Sequence, residues 1–552
     1  MSSKREITYY DVSPFAALSA HAETDGAKVQ DFSEVQKLFA ENIIYRSIQT
    51  CEHNYTVLDG THREFERNEN IALWSKYQSE DPSRLLYGGV TLDITFGGLQ
   101  SSPGIAFYFD PQNNVYCDML RVKWYKDTTL LSDETFYPDS AVYSCHHKVE
   151  LYNRVTVEFI RMNIPERYLK IEAVYFGIVR IFGDGELEEL TVNEGFDPTG
   201  RTLYINSANF TINTKDPVPY IFMKRQPLRI KYNGMRVGSY YIDKSKRYAD
   251  RKYSIEAIDK VGVLDATDEF MGGIYTNVYA ETLINEIVGG LFDVEIDDSL
   301  KNIYVSGWLP IIKRREALAH VALAIGAVID ATRTGYIKVR PAPPLSEIPR
   351  IIEKDRVYQS SAVDIEFPCT GVELIEHNFA VDMSYSGEKE LFKETFTGEK
   401  TVKFSEPATN LTITNGTIKY AHVNYAIISS SPTQQECVLK GRPYLDSQNS
   451  VIIKKDMSDE IEGTVEKIEK IENCYLVNKN NSQEVAQRLY EYYLRGNVFD
   501  GDFVANQDIE KIGDIVKIAT VFEEGYVTGQ IEKLTLRLGY KNIKARGIIR
   551  GD

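Results

Sequence analysis

Three short stretches carry residue types that could do chemistry. Cys145-His146-His147 offers a thiol and two imidazoles, all usable metal ligands. Neighbouring side chains on a strand point to opposite faces, so the two histidines cannot comfortably share one ion, and the stretch reads as ordinary strand or loop. Asp110-Pro111-Gln112-Asn113-Asn114 is rich in oxygen donors. It lacks the alternating ligands and central glycine of an EF-hand loop, so a plain turn is favoured over a calcium site. Gly183-Asp184-Gly185 lacks the third glycine of a dinucleotide fingerprint and opens no helix. No HExxH, GxSxG or GxxxxGKS/T occurs. With 80 acidic residues, a carboxylate pair at glycosidase spacing arises by chance, and no segment reads as a wall-degrading domain. Tyr77, Phe107, Tyr108, Trp124 and Tyr125 are the aromatics expected at the surface. Such rings stack on sugars, although core packing accounts for most aromatics in a β-sandwich. No catalytic, cofactor-binding or metal-binding residue is assigned, no cofactor is implied, and no individual carbohydrate ligand is named.

The elements that must position these residues are mostly strands. Thirty-six Tyr, with many Val, Ile and Thr, tilt the 552-residue chain towards β-structure. Its length corresponds to about three to five domains. The net charge of −17 is spread along the chain without a basic stripe, which argues against sequence-reading nucleic-acid recognition. An acidic surface suits a wall that DNA passes without sticking, and equally suits plain solubility. Six scattered cysteines without a CxxC pair point to reduced, buried thiols in a cytosolic product rather than a disulfide framework. Neither a signal peptide nor an apolar run of membrane-spanning length is present.

Along the chain, residues 1–50 read as an N-terminal arm, with a strand at Ile7–Tyr10 and a short helix over Ser33–Glu41, Ser33 as its cap and Gln36 at the capping-box position. Residues 51–182 read as one β-sandwich: Val90–Phe96, Gly104–Phe109, Met119–Tyr125, Val149–Phe159 and Tyr168–Phe176 alternate and are separated by turn clusters. Residues 183–344 form a β-lobe with two helices. Strands are expected at 202–207, 210–213, 228–243, 253–259 and 335–341, and helices at 279–290 and 314–330. In the second helix Ala317, Leu318, Val321, Ala322, Ile325, Val328 and Ile329 recur at helical spacing. After the breaker Pro341-Ala-Pro-Pro344, residues 345–480 read as a second, barrel-like β-lobe with strands at 363–367, 371–376, 411–414 and 437–440. Residues 481–552 supply a helix capped by Ser482, with Val485, Leu489 and Tyr492 on one face, then strands at 513–518 and 525–536.

The strand–helix–helix–strand order of Gln226–Pro344 resembles the hub protein of phage tail baseplates and tail tips, and of related phage-tail-like particles. Leu58-Asp59-Gly60, Leu73-Trp74-Ser75 and the strands after them resemble a galactose-binding-like sandwich. The resemblance implies a mainly β fold with a few helices (α+β): the sandwich, followed by hub-type β-barrel lobes with packed helices. It implies a structural, non-enzymatic homotrimer at the distal end of a tail, assembled in the bacterial host cytoplasm. The implied partners are the tail tube or distal tail protein and the central spike or tip protein, with the tape-measure protein and baseplate wedge beyond them. Two other readings follow from the residues. One is a carbohydrate-binding protein that recognises a cell-surface glycan through residues 51–182, and the other is an enzyme acting on cell-wall glycan.

Overall fold

A computed structural model describes residues 4–12, 16–39, 48–57, 62–65, 71–214, 222–343, 347–366, 369–430, 436–455, 467–506, 509–521 and 525–551. Strands take 56% of the chain and helices 11%, so the class is mainly β with several antiparallel sheets. Among the described residues no helix is long and apolar enough to cross a membrane. The chain forms two compact units. The first comprises residues 1–188, 210–257 and 333–336, and the second 189–209, 258–332 and 337–552.

The first unit is built on one antiparallel sheet in the order Ala20–Thr24, Leu85–Tyr108, Val142–Met162, Cys117–Lys126, Thr129–Phe136. Alternation along three of these strands brings like residues into register across the sheet: Ile94–Val155–Trp124, Leu92–Val157–Val122 and Val90–Phe159–Leu120. All nine side chains are buried. Each is worth about 1.5–3 kcal/mol relative to exposure, and a register slip of one residue would turn a whole strand's apolar set to water. Leu73–Gln78 and Tyr168–Ile171 form a separate ribbon packed into the same core.

A second sheet of this unit runs Gly177–Phe182, Arg5–Val12, Pro227–Tyr232, Met235–Arg247, Lys252–Ile258. The N-terminal strand therefore lies inside a sheet, with neighbours on both sides. Asn233 and Gly234, at φ 50° and 80°, make the tight turn between two of its strands. The helix expected over Ser33–Glu41 is a short 3-10 turn, Val35–Phe39. Ser33 does not cap it: its Oγ accepts from the Trp74 amide (3.0 Å). Gln36 bonds Ala20 O and Ala22 N, tying down the strand Ala20–Thr24. Residues 40 and 41 of that expected helix, Phe367 of the expected strand 363–367, and Leu58–Gly60 lie outside the described residues.

In the second unit the helices Ala280–Val288 and Arg314–Ile325 share a core with Leu300, Val305, Ile337 and Val339. The second helix is shorter than its periodicity suggests. Gly326 closes it in the left-handed conformation (φ 69°), and Val328 and Ile329 belong instead to the strand Ala327–Asp330, which pairs with Ile337–Pro341. The strand expected at 202–207 is irregular. Leu203 drops into the helical core, and its carbonyl accepts from Arg315 (3.0 Å). The Asn206 side chain accepts from the Gly195 amide (2.8 Å), so side chains replace the ladder.

The strand Leu187–Gly195, not anticipated from the sequence, pairs at Thr191–Gly195 with Tyr526–Leu538. Ile543–Gly551, Asn497–Val504 and Ala362–Ile365 extend this sheet in that order, and Ile515–Ala519 with Arg350–Ile352 form a branch. The 18-residue strand Cys437–Lys454 serves two bodies. Its later half pairs with Gly371–Val381, against which helix Ser482–Tyr493 packs. Its first half joins Lys389–Glu394 and Ala408–Thr414 around Val402, Phe404, Ala426, Ile428 and Leu439. Ser482 is not the helix cap. Asn481 occupies that position, and the Ser482 hydroxyl donates to Glu376 (2.7 Å).

Asp259 caps the helix Lys260–Asp265, accepting from the Gly262 amide (3.0 Å) and the Thr332 hydroxyl (3.2 Å). It is fully buried, and burial pushes its carboxyl up to about 6, against the opposing effects of these donors, Asn206 and Lys260. A carboxyl whose folded pKa is raised binds its proton more tightly in the native state. The stability this contributes is present below the unfolded value of 3.8 and is lost as pH rises through about 6. Asp259→Asn keeps a cap without the charge, and should gain on the wild type by about 2 kcal/mol between pH 4 and pH 7. Paired urea unfolding curves at the two pH values check this; a difference independent of pH would contradict it.

Candidate functional site

The sequence-named residues divide on the fold. Cys145, His146 and His147 sit on the strand Val142–Met162, with Cys145 buried and His146 turned to the other face. The His147 ring bonds Ser132 (2.8 Å) and leans on Trp124, which commits it to the sheet. Asp110 and Val115 close the Asp110–Asn114 loop with reciprocal backbone bonds. The Asp110 carboxylate turns inward, accepting from Asn113 and from the Tyr55 hydroxyl. Asp184 of the glycine pair accepts from the Lys4 amide (2.7 Å) and Arg5 (2.8 Å), so that turn fastens the N-terminal strand. Phe107 and Trp124, expected at the surface, are fully buried; both occupy core-facing positions of their strands. Tyr108 and Tyr125 are partly buried, and only Tyr77 is well exposed. Tyr87, also exposed, escaped the sequence reading. The signal for it was the Gly88-Gly89 doublet inside an otherwise alternating run.

A buried cluster of titratable groups lies beside the Leu73–Gln78/Tyr168–Ile171 ribbon. Lys170 Nζ meets Glu52 at 2.5 Å, with both side chains almost fully buried. The ammonium also lies 3.5 Å from the centre of the Tyr55 ring and 4.9 Å from that of Trp74. Glu52 further accepts from the Tyr168 amide (2.9 Å) and the Thr50 hydroxyl (2.7 Å). Burial draws the Lys170 pKa down, while Glu52 holds it up. Glu172 nearby has its pKa raised well above the ordinary glutamate value, first by burial and then by Asp110. A buried lysine of this kind is a nucleophile elsewhere. Here the ammonium is engaged by the Glu52 carboxylate and by the Tyr55 and Trp74 rings. The cluster is a lock between loop and ribbon.

In the second unit a cavity of about 330 Å³ is lined by Arg201, Arg315, Glu316, His320, Glu472 and Cys474, among others. Its cations are already engaged: Arg201 donates to the Tyr493 hydroxyl (2.6 Å), and Arg315 to Asp265 (2.7 Å). Burial, and then His377, lowers His320 to about 4, and burial raises the Cys474 thiol to about 11. A neutral imidazole that resists protonation and a thiol that resists ionisation make a poor acid–base or nucleophilic pair. Among the described residues no group of three or more His, Cys, Asp or Glu is placed to hold a metal ion.

No protein-family model matches the sequence, and no curated protein matches it. Among solved structures the chain is similar to the tail protein from Neisseria meningitidis MC58 (10% identity, TM-score 0.43, 66% of this chain and 93% of that one). It is similar to the 43 kDa tail protein of prophage MuSo2 from Shewanella oneidensis (9%, 0.41, 67% and 96%). It is similar also to the prophage tail protein gp18 from Listeria monocytogenes EGD-e (11%, 0.40, 67% and 91%). At these identities the likeness is one of fold alone.

The lock has a direct consequence. Lys170→Met leaves Glu52 buried without its partner and should cost about 3–5 kcal/mol. The double variant Glu52→Gln with Lys170→Met should recover most of that loss. Urea unfolding of the three proteins, followed by tryptophan fluorescence, measures it. A single variant as stable as the wild type would show that the pair is solvated.

Proposed function

We propose that the protein is the structural hub of a phage tail or phage-tail-like particle. It forms a homotrimeric ring that joins the tail tube or distal tail protein to the central spike or tip, and the tape-measure protein and baseplate wedge are its further neighbours. Its place is the tail of the particle, assembled in the bacterial cytoplasm, and its role is mechanical rather than enzymatic. Two β-lobes per subunit would let a trimer offer six similar contacts to a hexameric tube. A surface of net charge −17 would repel the phosphates of passing DNA.

The observation that carries this reading is the segment 347–366. It supplies the two short strands that end the second unit's sheet, Arg350–Ile352 and Ala362–Ile365. Among the described residues the outer side of Ala362–Ile365 pairs with no strand. The same segment holds isoleucines in water: Ile348 is 95% exposed, Ile365 83%, and Ile351 is exposed as well. Pro349, Arg350 and Asp364 blunt these strands as templates for further pairing, so the association surface is the exposed isoleucines rather than the open backbone edge. A head-to-tail ring needs such a patch on every subunit, met by a different one on the next.

The double variant Ile348→Asp with Ile365→Asp tests this. Both side chains are already in water, so thermal unfolding of the subunit should be unchanged, whereas light scattering should report a fall from three chains to one. A variant that keeps the wild-type mass would overturn the assignment of this segment, and a wild type that is monomeric would overturn the ring.

A further inference from the structure

The strand Leu85–Tyr108 contains an extended bulge. Leu85 faces Arg161 and Val90 faces Phe159, so Leu86, Tyr87, Gly88 and Gly89 stand against the single residue Ile160. Bulges of this kind re-aim a side chain that regular pleating would place elsewhere. Leu86 is buried and bridges Ser79, which pins the base of the bulge. Gly88 and Gly89 adopt φ 67° and 66°, a conformation costly for other residues. Tyr87 is thereby lifted into solvent, 64% exposed.

Two further groups meet it there. Tyr77, half exposed on the neighbouring ribbon, stands edge-on to Tyr87 with ring centres 5.9 Å apart and planes at 73°. The Lys28 ammonium lies 5.5 Å from the Tyr87 ring centre, in the notch that Gly88 leaves open: a Cβ there would fall 2.1 Å from Nζ. Among the described residues no carboxylate forms an ion pair with Lys28. Among the described residues, two rings with their hydroxyls and an ammonium without a carboxylate partner are thus gathered at the bulge.

We infer that this bulge is a binding site for a pyranose ring of a surface glycan. The aromatic faces meet the apolar C–H face of a sugar, and the phenol hydroxyls and Lys28 donate to its hydroxyl oxygens. The patch consists of two rings, a lysine and the exposed Leu85. That is much smaller than the roughly 800 Å² per partner of a stable protein interface, and it matches one or two sugar units. The site is independent of the hub reading, since it uses neither the segment 347–366 nor the second unit.

Saturation-transfer NMR on the full chain tests it, with methyl β-D-galactopyranoside, methyl α-D-glucopyranoside and N-acetylglucosamine as separate probes. At least one should receive saturation. Tyr77→Ala and Tyr87→Ala should each reduce the transfer at least fivefold, and Lys28→Ala should weaken it. Tyr137→Ala, at another exposed tyrosine of the same unit, should leave it unchanged. No transfer to any of the three probes would overturn the site. So would transfer that survives both tyrosine variants, or transfer lost equally in Tyr137→Ala. Light scattering on the same samples keeps the outcome separate from the ring, because the site can fail while the mass stays that of a trimer.

Discussion

Thr191–Gly195 hydrogen-bond to Lys533–Arg537, across most of the length of the chain. The second unit depends on this pairing. Its sheet has no first strand without Leu187–Gly195, and no centre until the last strands, Tyr526–Leu538 and Ile543–Gly551, are in place. The first unit repeats the arrangement: Arg5–Val12 sits between Gly177–Phe182 and Pro227–Tyr232. In both units, chain from near a terminus lies inside a sheet rather than along its edge. Such distant contacts are slow to form, because loop closure must be met before pairing rewards it, and they make each unit cooperative once formed.

Much of this was legible wherever the pattern is local. The runs Val90–Phe96, Met119–Tyr125 and Val149–Phe159 alternate because one face of each is buried, and all three fall within strands. The helices Ala280–Val288 and Ser482–Tyr493 carry enough apolar residues on one face to be read directly. Leu187–Gly195 was missed because it is rich in acidic residues and has only a few inward positions, and its partner lies hundreds of residues away. Residues 202–207 were misread for the converse reason. Leu203 and Tyr204 look strand-like, but Arg315 and Asn206 satisfy the backbone that a ladder would have satisfied. Which aromatics face water was the least legible feature. Trp124 and Tyr125 differ only in the side of the pleat they occupy, and local sequence alone does not say which side becomes core.

The polar chemistry of the molecule points the same way in both units. Lys170 and Glu52 neutralise one another under two rings, Asp259 caps a helix and anchors Thr332, and Asp184 holds Arg5. Burial suppresses the ionisation of the thiols of Cys117 and Cys474 and the protonation of His320. These buried groups serve as fasteners, while an open strand edge, exposed isoleucines and an aromatic bulge lie on the outside.

The central claim is that three copies of the chain close into a ring through the segment 347–366. Light scattering of the purified full chain, with negative-stain images of the same sample, measures it most directly. The account predicts a single species of about 190 kDa, three chains of 62.9 kDa, seen as closed rings with a central opening. A mass of one chain at every concentration tested, or open filaments instead of rings, would contradict it.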